Sequence, residues 1–494
     1  MNISGKIVLK NSFFNIAGQG LPSVAAIIVF PFIIRYLGQD RFGLLMLIFA
    51  IQGYLEFLNL RLGFALTKFA SEAIYKRDER RLSQLTWTTI SYLIFLGAIG
   101  TIIIVILTAV NAFTIFKIPE NLWFETRLSL IFTAISLPLI FASTGWRALL
   151  AAGQRFDLIN IIHAPISCLR YIIVLSLAAK GFYLPVIMLA ILLTHAFSFV
   201  IYFGVCLRLY PSIKDFSFDS QASRSLLWFG GWLSVSQIVG MALQYLDRFI
   251  IASLLPVGNL TYYAVPMEIV NKLGLIPQAI SRSAFPILSA LKKSFHSIQL
   301  YTRILKFMMV SAAPLIFIIS IFSEDILALY VGKDFAINST SVLKLLILGF
   351  FFMTVESVII NYALALGYAD VFAKFRLIEF LLYGGISIYL TKKYGIQGMA
   401  LAYLVLKISE ASFGFIILQN NIPDHLDQLI SNRVINGAIL PIALFSFIFF
   451  ISSYFNLSFF FKILIISIGI FIYTLCIWKY VLTPQEIRKF KKVS

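Results

Sequence analysis

The chain has 494 residues, of which 60% are hydrophobic and 13% charged, with a formal net charge of +18 and a mean hydropathy of +0.92. That balance excludes an ordinary soluble domain, in which charged residues make up about 25%. It also argues against nucleic acid as the partner of the positive charge, because Lys and Arg fall mostly in short segments between apolar runs of eighteen or more residues, each able to cross a hydrocarbon core of roughly 30 Å as a helix.

The first apolar run follows Lys6 and Lys10 and continues to about Leu37. It is too long for a signal-peptide core and has no small-residue cleavage pattern, so it is expected to remain as the first helix. Spans are predicted at 12–34, 42–67, 86–111, 128–146, 158–179, 183–206, 225–255, 260–288, 307–330, 338–366, 371–391, 396–419, 434–455 and 459–478. The fold class is therefore an all-α polytopic membrane protein of about fourteen transmembrane helices, with twelve as the alternative count. With both termini inside, Lys374, Arg376 and Lys462 counted with the loops beside their span ends and Lys68 with its span, 23 Lys and Arg fall in cytoplasmic segments, 9 in outer loops and 8 within spans. This bias predicts a multi-pass membrane protein with N and C termini cytoplasmic. Cys168, Cys206 and Cys476 lie in apolar segments without metal-ligand or redox spacing.

An internal repeat appears at a shift of about 213 residues. Gly18 answers Gly231, Ala152-Gly153-Gln154-Arg155-Phe156-Asp157 answers Leu366-Gly367-Tyr368-Ala369-Asp370, and Lys180-Gly181 answers Tyr394-Gly395. Two pseudo-symmetric six-helix bundles are predicted, over 1–210 and 211–424, followed by two additional helices and a basic cytoplasmic tail over 425–494.

Polar residues within spans are costly, at about 2.5 to 3.5 kcal/mol for a charge at the helix centre, and so mark candidate function. Four helices carry polar stripes at helical spacing. They are Asn15 and Gln19 with Ser23; Gln52, Glu56 and Asn59; Gln237, Gln244 and Arg248; and Asn271, Gln278 and Arg282. These are the opening helices of each repeat. Their faces either bond one another across helices or line a water-filled cavity between the halves. Carboxamides suit the hydroxyl and acetamido groups of a sugar, and Arg suits phosphate oxygens. His163 and Arg170 share a face of the fifth helix, and Arg376 occupies the repeat position of His163. His163, Asp247 and Glu356 are candidates for ion coupling. Glu268 with Lys272, and Lys407 with Glu410, can neutralise each other on one helix.

No GxxxxGK[ST] loop, metal-ligand cluster or nucleophile motif is present in the sequence, and the loops are too short for a catalytic domain. The expectation is a non-enzymatic protein without cofactor or metal.

The stretch Asn15-Ile16-Ala17-Gly18 through Pro31-Phe32-Ile33-Ile34-Arg35-Tyr36-Leu37-Gly38, with Phe42-Gly43-Leu44 and Gly63-Phe64-Ala65-Leu66-Thr67-Lys68, resembles the N-terminal signature of Wzx-type polysaccharide flippases. Asp247-Arg248, Tyr262-Tyr263 and Pro266 resemble the matching region of helices seven and eight. This family sits within the multidrug, oligosaccharidyl-lipid and polysaccharide exporter superfamily. The resemblance implies alternating-access transport of undecaprenyl-pyrophosphate-linked oligosaccharide, an O-antigen or capsule repeat unit, to the periplasmic leaflet. Implied partners are the polyprenyl-phosphate-linked glycan, the lipid bilayer, and polysaccharide polymerase and ligase machinery. By the same resemblance Arg248, Arg282 and Arg170 are candidates for pyrophosphate or anionic-sugar contact. The acids Glu56, Asp247 and Glu268 depart from a simply cationic cavity. The alternatives are a flippase for a teichoic, teichuronic, common-antigen or lipid II type precursor, a cation-coupled drug antiporter, and a non-transporting membrane scaffold.

Overall fold

A chain this apolar satisfies its backbone amides most cheaply within each segment, and every regular element among the described residues is helical. The computed structural model describes residues 5–291, 294–422, 425–437, 439, 443 and 459–482, without the side chains of 5–19, 220–222, 225, 229, 230, 232–237, 282, 286 and 459. The helices are α1 (Gly5–Leu55), α2 (Leu62–Lys76), α3 (Glu79–Ala109), α4 (Trp123–Ala152), α5 (Phe156–Ala179), α6 (Leu184–Leu209), α7 (Ser220–Leu254), α8 (Gly258–Leu291), α9 (Phe295–Ile321), α10 (Ser323–Tyr330), α11 (Lys333–Ala365), α12 (Ala369–Asn421), α13 (His425–Ser431) and α14 (Phe459–Cys476). Nine helical stretches among the described residues are long and apolar enough to cross a membrane.

Two of these helices are too long for one crossing. Straight, the 53 residues of α12 would extend about 80 Å at 1.5 Å per residue, more than twice a hydrocarbon core. Instead, α12 reverses at Gly395 (φ 64°, ψ −142°), so that Phe375 stacks on Phe413 at 3.8 Å between ring centroids. In the same way α1 reverses at Gly38 (φ 79°, ψ 170°), bringing Phe30 against Phe42 at 5.6 Å. Only glycine adopts such dihedrals without strain. Thus α12 holds the two expected spans 371–391 and 396–419, and α1 holds the first expected span and the beginning of the second.

The ninth expected span, 307–330, is also divided differently. Ser294 caps α9 by accepting from the Ser297 N–H at 3.2 Å, which starts the helix at Phe295, and α9 ends at Ile321 before the short α10. Of the thirteenth expected span, 434–455, residues 438, 440–442 and 444–455 lie outside the described residues.

The chain divides into two compact units, Met1–Thr261 and Tyr262–Ser494. In unit 1, α3 packs along α4, α1 along α5, α4 along α6, and α7 against α1, α2 and α3. Small residues permit the close approaches expected between membrane helices. A Cβ at Gly97 would strike the Pro138 backbone, and Thr101 Oγ1 donates to Ala134 O at 2.6 Å on the same α3–α4 seam. Trp146 is fully buried, with Trp87 and Phe203 at 5.7 and 5.1 Å.

In unit 2, α11 packs along both α12 and α9. Tyr301 of α9 stacks on Tyr362 of α11 at 4.4 Å, and His425 of α13 stacks on Tyr301 at 5.8 Å. Basic and amide side chains collect carbonyls just past α13 and in the π-helical turn and residue that follow α14. Lys306 Nζ donates to Asn432 O (3.1 Å) and Val481 O (3.4 Å), Arg433 to Leu482 O (2.8 Å), and Asn436 to Tyr480 O (3.0 Å).

Candidate functional site

The second expected span does not continue as one helix. α1 stops at Leu55, residues 56–59 make a 3-10 turn, Leu60 and Arg61 take positive φ of 47° and 48°, and α2 begins at Leu62. Asn59 Oδ1 accepts the Arg61 N–H at 2.9 Å, a local bond by which Asn diverts the chain from a helix. The predicted stripe of Gln52, Glu56 and Asn59 is therefore corrected: Gln52 belongs to α1, whereas Glu56 and Asn59 belong to the turn, and all three are half-buried.

The new end of α2 rests on α4. A Cβ at Gly63 would lie 3.5 Å from Ala148 Cβ and 3.6 Å from Thr144 O, and Thr67 Oγ1 donates to Ala148 O at 3.1 Å. Arg147 belongs to that same turn of α4, inside the helix rather than in the loop expected from the sequence. It lies within electrostatic reach of Glu56, Arg170, His195 and Tyr202. Among the described residues no ion pair joins Arg147, Arg170 or Glu56 to a partner. Arg170 Nε and His195 Nε2 are buried without a hydrogen-bond partner.

The interior of unit 1 thus places Arg170, His195 and Glu56 within reach of Arg147, on the turn of α4 against which α2 begins. The two arginines favour an anion, and Glu56 opposes it. Arg170 and Glu56 were candidates from the sequence; Arg147 and His195 were missed. For Arg147 the signal was available, since Ala148 through Ala152 continue the apolar run beyond it. His163 is placed on α5 with Ser167 Oγ at 3.5 Å from its Nε2.

On α7, Arg248 and Asp247 form a buried pair at 3.0 Å, and Arg248 also donates to Gln244 O at 3.2 Å. Gln244 is exposed. Tyr245 occupies the space above Gly53, where a Cβ would collide with its ring, and Tyr54 meets Phe249 at 5.9 Å, so the second half of α1 packs closely on α7. Asn15, Gln19, Gln237 and Arg282 lie in helices, but their side chains fall outside the described residues.

Within unit 2, the expected α8 stripe is split in environment: Asn271 is exposed and Gln278 half-buried. Glu268 and Lys272 pair at 3.8 Å along the helix. Glu356 belongs to a larger network. Arg376 Nη2 lies 3.5 Å from Glu356 Oε1, and its Nη1 lies 3.0 Å from Glu410 Oε1 without the alignment of a hydrogen bond. Lys407 Nζ lies 3.3 Å from Glu356 Oε2 and also binds Glu410. Ser409 Oγ donates to Glu379 Oε1 at 3.1 Å. The Gly395 reversal makes these contacts possible, because it places 376 and 379 opposite 409 and 410.

Comparison with known proteins places this architecture. Residues 8–292 match the family described as Polysaccharide biosynthesis protein. The chain is 26% identical over 415 residues to a protein named "Putative O-antigen transporter" from Shigella flexneri, covering 82% of this chain and 96% of the relative. It is also 26% identical over 218 residues to "Uncharacterized membrane protein EpsK" of Bacillus subtilis (strain 168), 42% of each chain. Among solved structures, the lipid II flippase MurJ in an inward closed conformation aligns with a TM-score of 0.71 at 15% identity, covering 94% of this chain and 97% of that one. An inward-facing multidrug resistance MATE family transporter of the MOP superfamily aligns with a TM-score of 0.70 at 13% identity, covering 83% and 99%. The TM-scores show a shared fold, and the chain is an integral membrane protein.

Proposed function

The chain belongs to the polysaccharide biosynthesis protein family, and from that premise we propose that it is a flippase for a lipid-linked oligosaccharide. Its cargo is an undecaprenyl-pyrophosphate-linked O-antigen or capsule repeat unit, moved from the cytoplasmic to the periplasmic leaflet of a bacterial inner membrane. The relative from Shigella flexneri supports the cargo class. The observation that carries the reading is the pair of arginines in unit 1, Arg147 and Arg170, which lie within electrostatic reach of each other and of His195, with Glu56 as the carboxylate in reach of Arg147. Desolvated cations without ion-pair partners are costly, and a pyrophosphate offsets that cost through charge-assisted hydrogen bonds. Gln52 and Asn59, beside the break, offer donors and acceptors to sugar hydroxyls.

The polyprenyl tail stays in lipid throughout, so only the headgroup needs a polar path. With about two negative charges on that headgroup, an inside-negative potential of about 100 mV favours export by roughly 4.6 kcal/mol. The protein's main task is then to lower the barrier. The duplicated segments 1–210 and 211–424 act by alternating access, with 425–494 as an appendix, both termini cytoplasmic, and polymerase and ligase machinery receiving the product.

The test is complementation of a deletion strain, with translocation of its lipid-linked glycan measured in membrane vesicles. Restored glycan export by the wild-type chain, lost in the Arg147→Gln/Arg170→Gln double variant at equal membrane abundance, supports the reading. A chain that inserts normally but moves no lipid-linked glycan overturns it.

A further inference from the structure

The network in unit 2 has an odd charge count. Three carboxylates, Glu356, Glu379 and Glu410, share two bases, Arg376 and Lys407. Both bases are already engaged by Glu356 and Glu410. Glu379 is only 4% exposed; its Oε1 accepts from Ser409 at 3.1 Å, and its Oε2 is buried without a hydrogen-bond partner.

An ionised carboxylate in that position would have one oxygen bare in a low-dielectric interior, a cost of several kcal/mol. Protonation removes the charge and leaves Oε1 to its hydroxyl donor. A metal ion fits the geometry less well: among the described residues, no group of three or more His, Cys, Asp or Glu side chains converges as metal ligands. We infer that Glu379 is a proton-binding site inside unit 2, carrying one exchangeable proton that balances three carboxylates against two bases.

The charged groups in reach of Glu379 are Glu410, Arg376 and Lys407, all on α12. Glu356 of α11 acts on it through the two bases it shares. Glu379 and its donor Ser409 lie on opposite arms of the Gly395 reversal. A shift between the arms that removes Ser409, or turns Arg376 away from Glu410, therefore changes the proton's hold. Loss of the proton leaves a net negative charge, so release has to coincide with entry of water or movement of a base toward Glu379. Such a site couples proton return to export; that role rests on the flippase reading, whereas the proton site does not.

The experiment uses the purified full chain in liposomes and dicyclohexylcarbodiimide, an apolar reagent that modifies protonated carboxyls, with mass spectrometric mapping. The expected result is an adduct at Glu379 near neutral pH that diminishes at alkaline pH, is absent in Glu379→Gln, and is indifferent to sodium. Two controls keep the result readable: Glu379→Gln retains the wild-type melting temperature, and an infrared carboxylic-acid band present in wild type disappears in it. No adduct and no such band at any pH from acid to neutral overturns the inference, and sodium protection replaces it with a monovalent metal-cation site. Because labelling needs no cargo, an adduct in a chain that fails to flip glycan would sink the flippase reading alone.

Discussion

Unit 1 gathers Arg170, His195 and Glu56 within reach of Arg147 without an ion pair among the described residues, whereas unit 2 ties Glu356 and Glu410 to Arg376 and Lys407 at hydrogen-bonding distances. Both interiors are charged, yet their surpluses have opposite signs. In the paired network each charge is neutralised by a neighbour on α11 or α12, and removing one member strands the rest. In the basic cluster the neutralising partner has to arrive from outside. On the function proposed above, the contrast separates a network that holds the protein together from a site that takes a ligand.

Removing Arg376 is the strongest way to break this comparison. Arg376→Ala leaves Glu356 and Glu410 with Lys407 alone, and losing one partner of a buried charge set costs about 3 to 5 kcal/mol. The expected outcome is a markedly lower melting temperature and poor recovery from detergent extraction. An unchanged melting temperature would show that the network is no more structural than the cluster in unit 1.

The next largest effect comes from pH, and it bounds the conditions for testing unit 2. His425, outside the membrane-spanning segments, is held down to about 4 by burial against Tyr301 and Phe415, from an ordinary value near 6.5. A depressed histidine is neutral in the fold but takes up a proton when unfolded, so stability falls as pH drops from about 6.5 to about 4. Linkage sets the loss at about 3 kcal/mol, all of it present below about pH 4. The wild-type melting temperature should fall relative to that of His425→Phe as pH drops from about 6.5 to about 4, and labelling of Glu379 is best followed above about pH 6.5.

Arg170→Gln tests the other side of the comparison. Loss of a charge-assisted contact to phosphate costs about 1.5 to 3 kcal/mol, or about 10- to 100-fold in transport. Because Arg170 has no ion-pair partner to strand, the melting temperature should stay level or rise. A variant with normal transport but a lower melting temperature would make Arg170 a packing residue and remove it from the site.

How much of this was legible in the sequence depended on whether a single segment carried the signal. Span positions followed from apolar length, and the matched Gly181 and Gly395 of the internal repeat both take positive φ, 79° and 64°. The N-terminal resemblance lies inside the region that matches the family. The break after Leu55 left no such mark. Glu56-Phe57-Leu58-Asn59-Leu60-Arg61 contains no Gly or Pro, and its turn depends on one Asn59 side-chain bond and on packing against α4. Arg147 looked like a loop residue because Trp146 was taken as the end of its span. Arg376 was counted with the cytoplasmic loops for a related reason: its partners, 20 and 34 residues away, meet it only through tertiary packing. Glu379 is an acid within the expected span 371–391, but its donor Ser409 is 30 residues distant, beyond any local spacing rule.

The smallest predicted effect sharpens the comparison most closely, because it changes one atom type within the basic cluster. Glu56 is the carboxylate in reach of Arg147, and it sits in the turn between α1 and α2. A negative charge there attracts the same cations that an incoming pyrophosphate would use, so it competes with the cargo. At an effective dielectric of about 20, such a charge is worth about 1 kcal/mol to a phosphate charge roughly 15 Å away, and more when closer. Glu56→Gln should therefore tighten retention of inorganic pyrophosphate a few-fold, opposite in sign to Arg170→Gln, with both read by calorimetry on the purified chain. If the two variants weaken binding alike, Glu56 holds the arginines in position, and the cluster in unit 1 works more like the network in unit 2 than its open charges suggest.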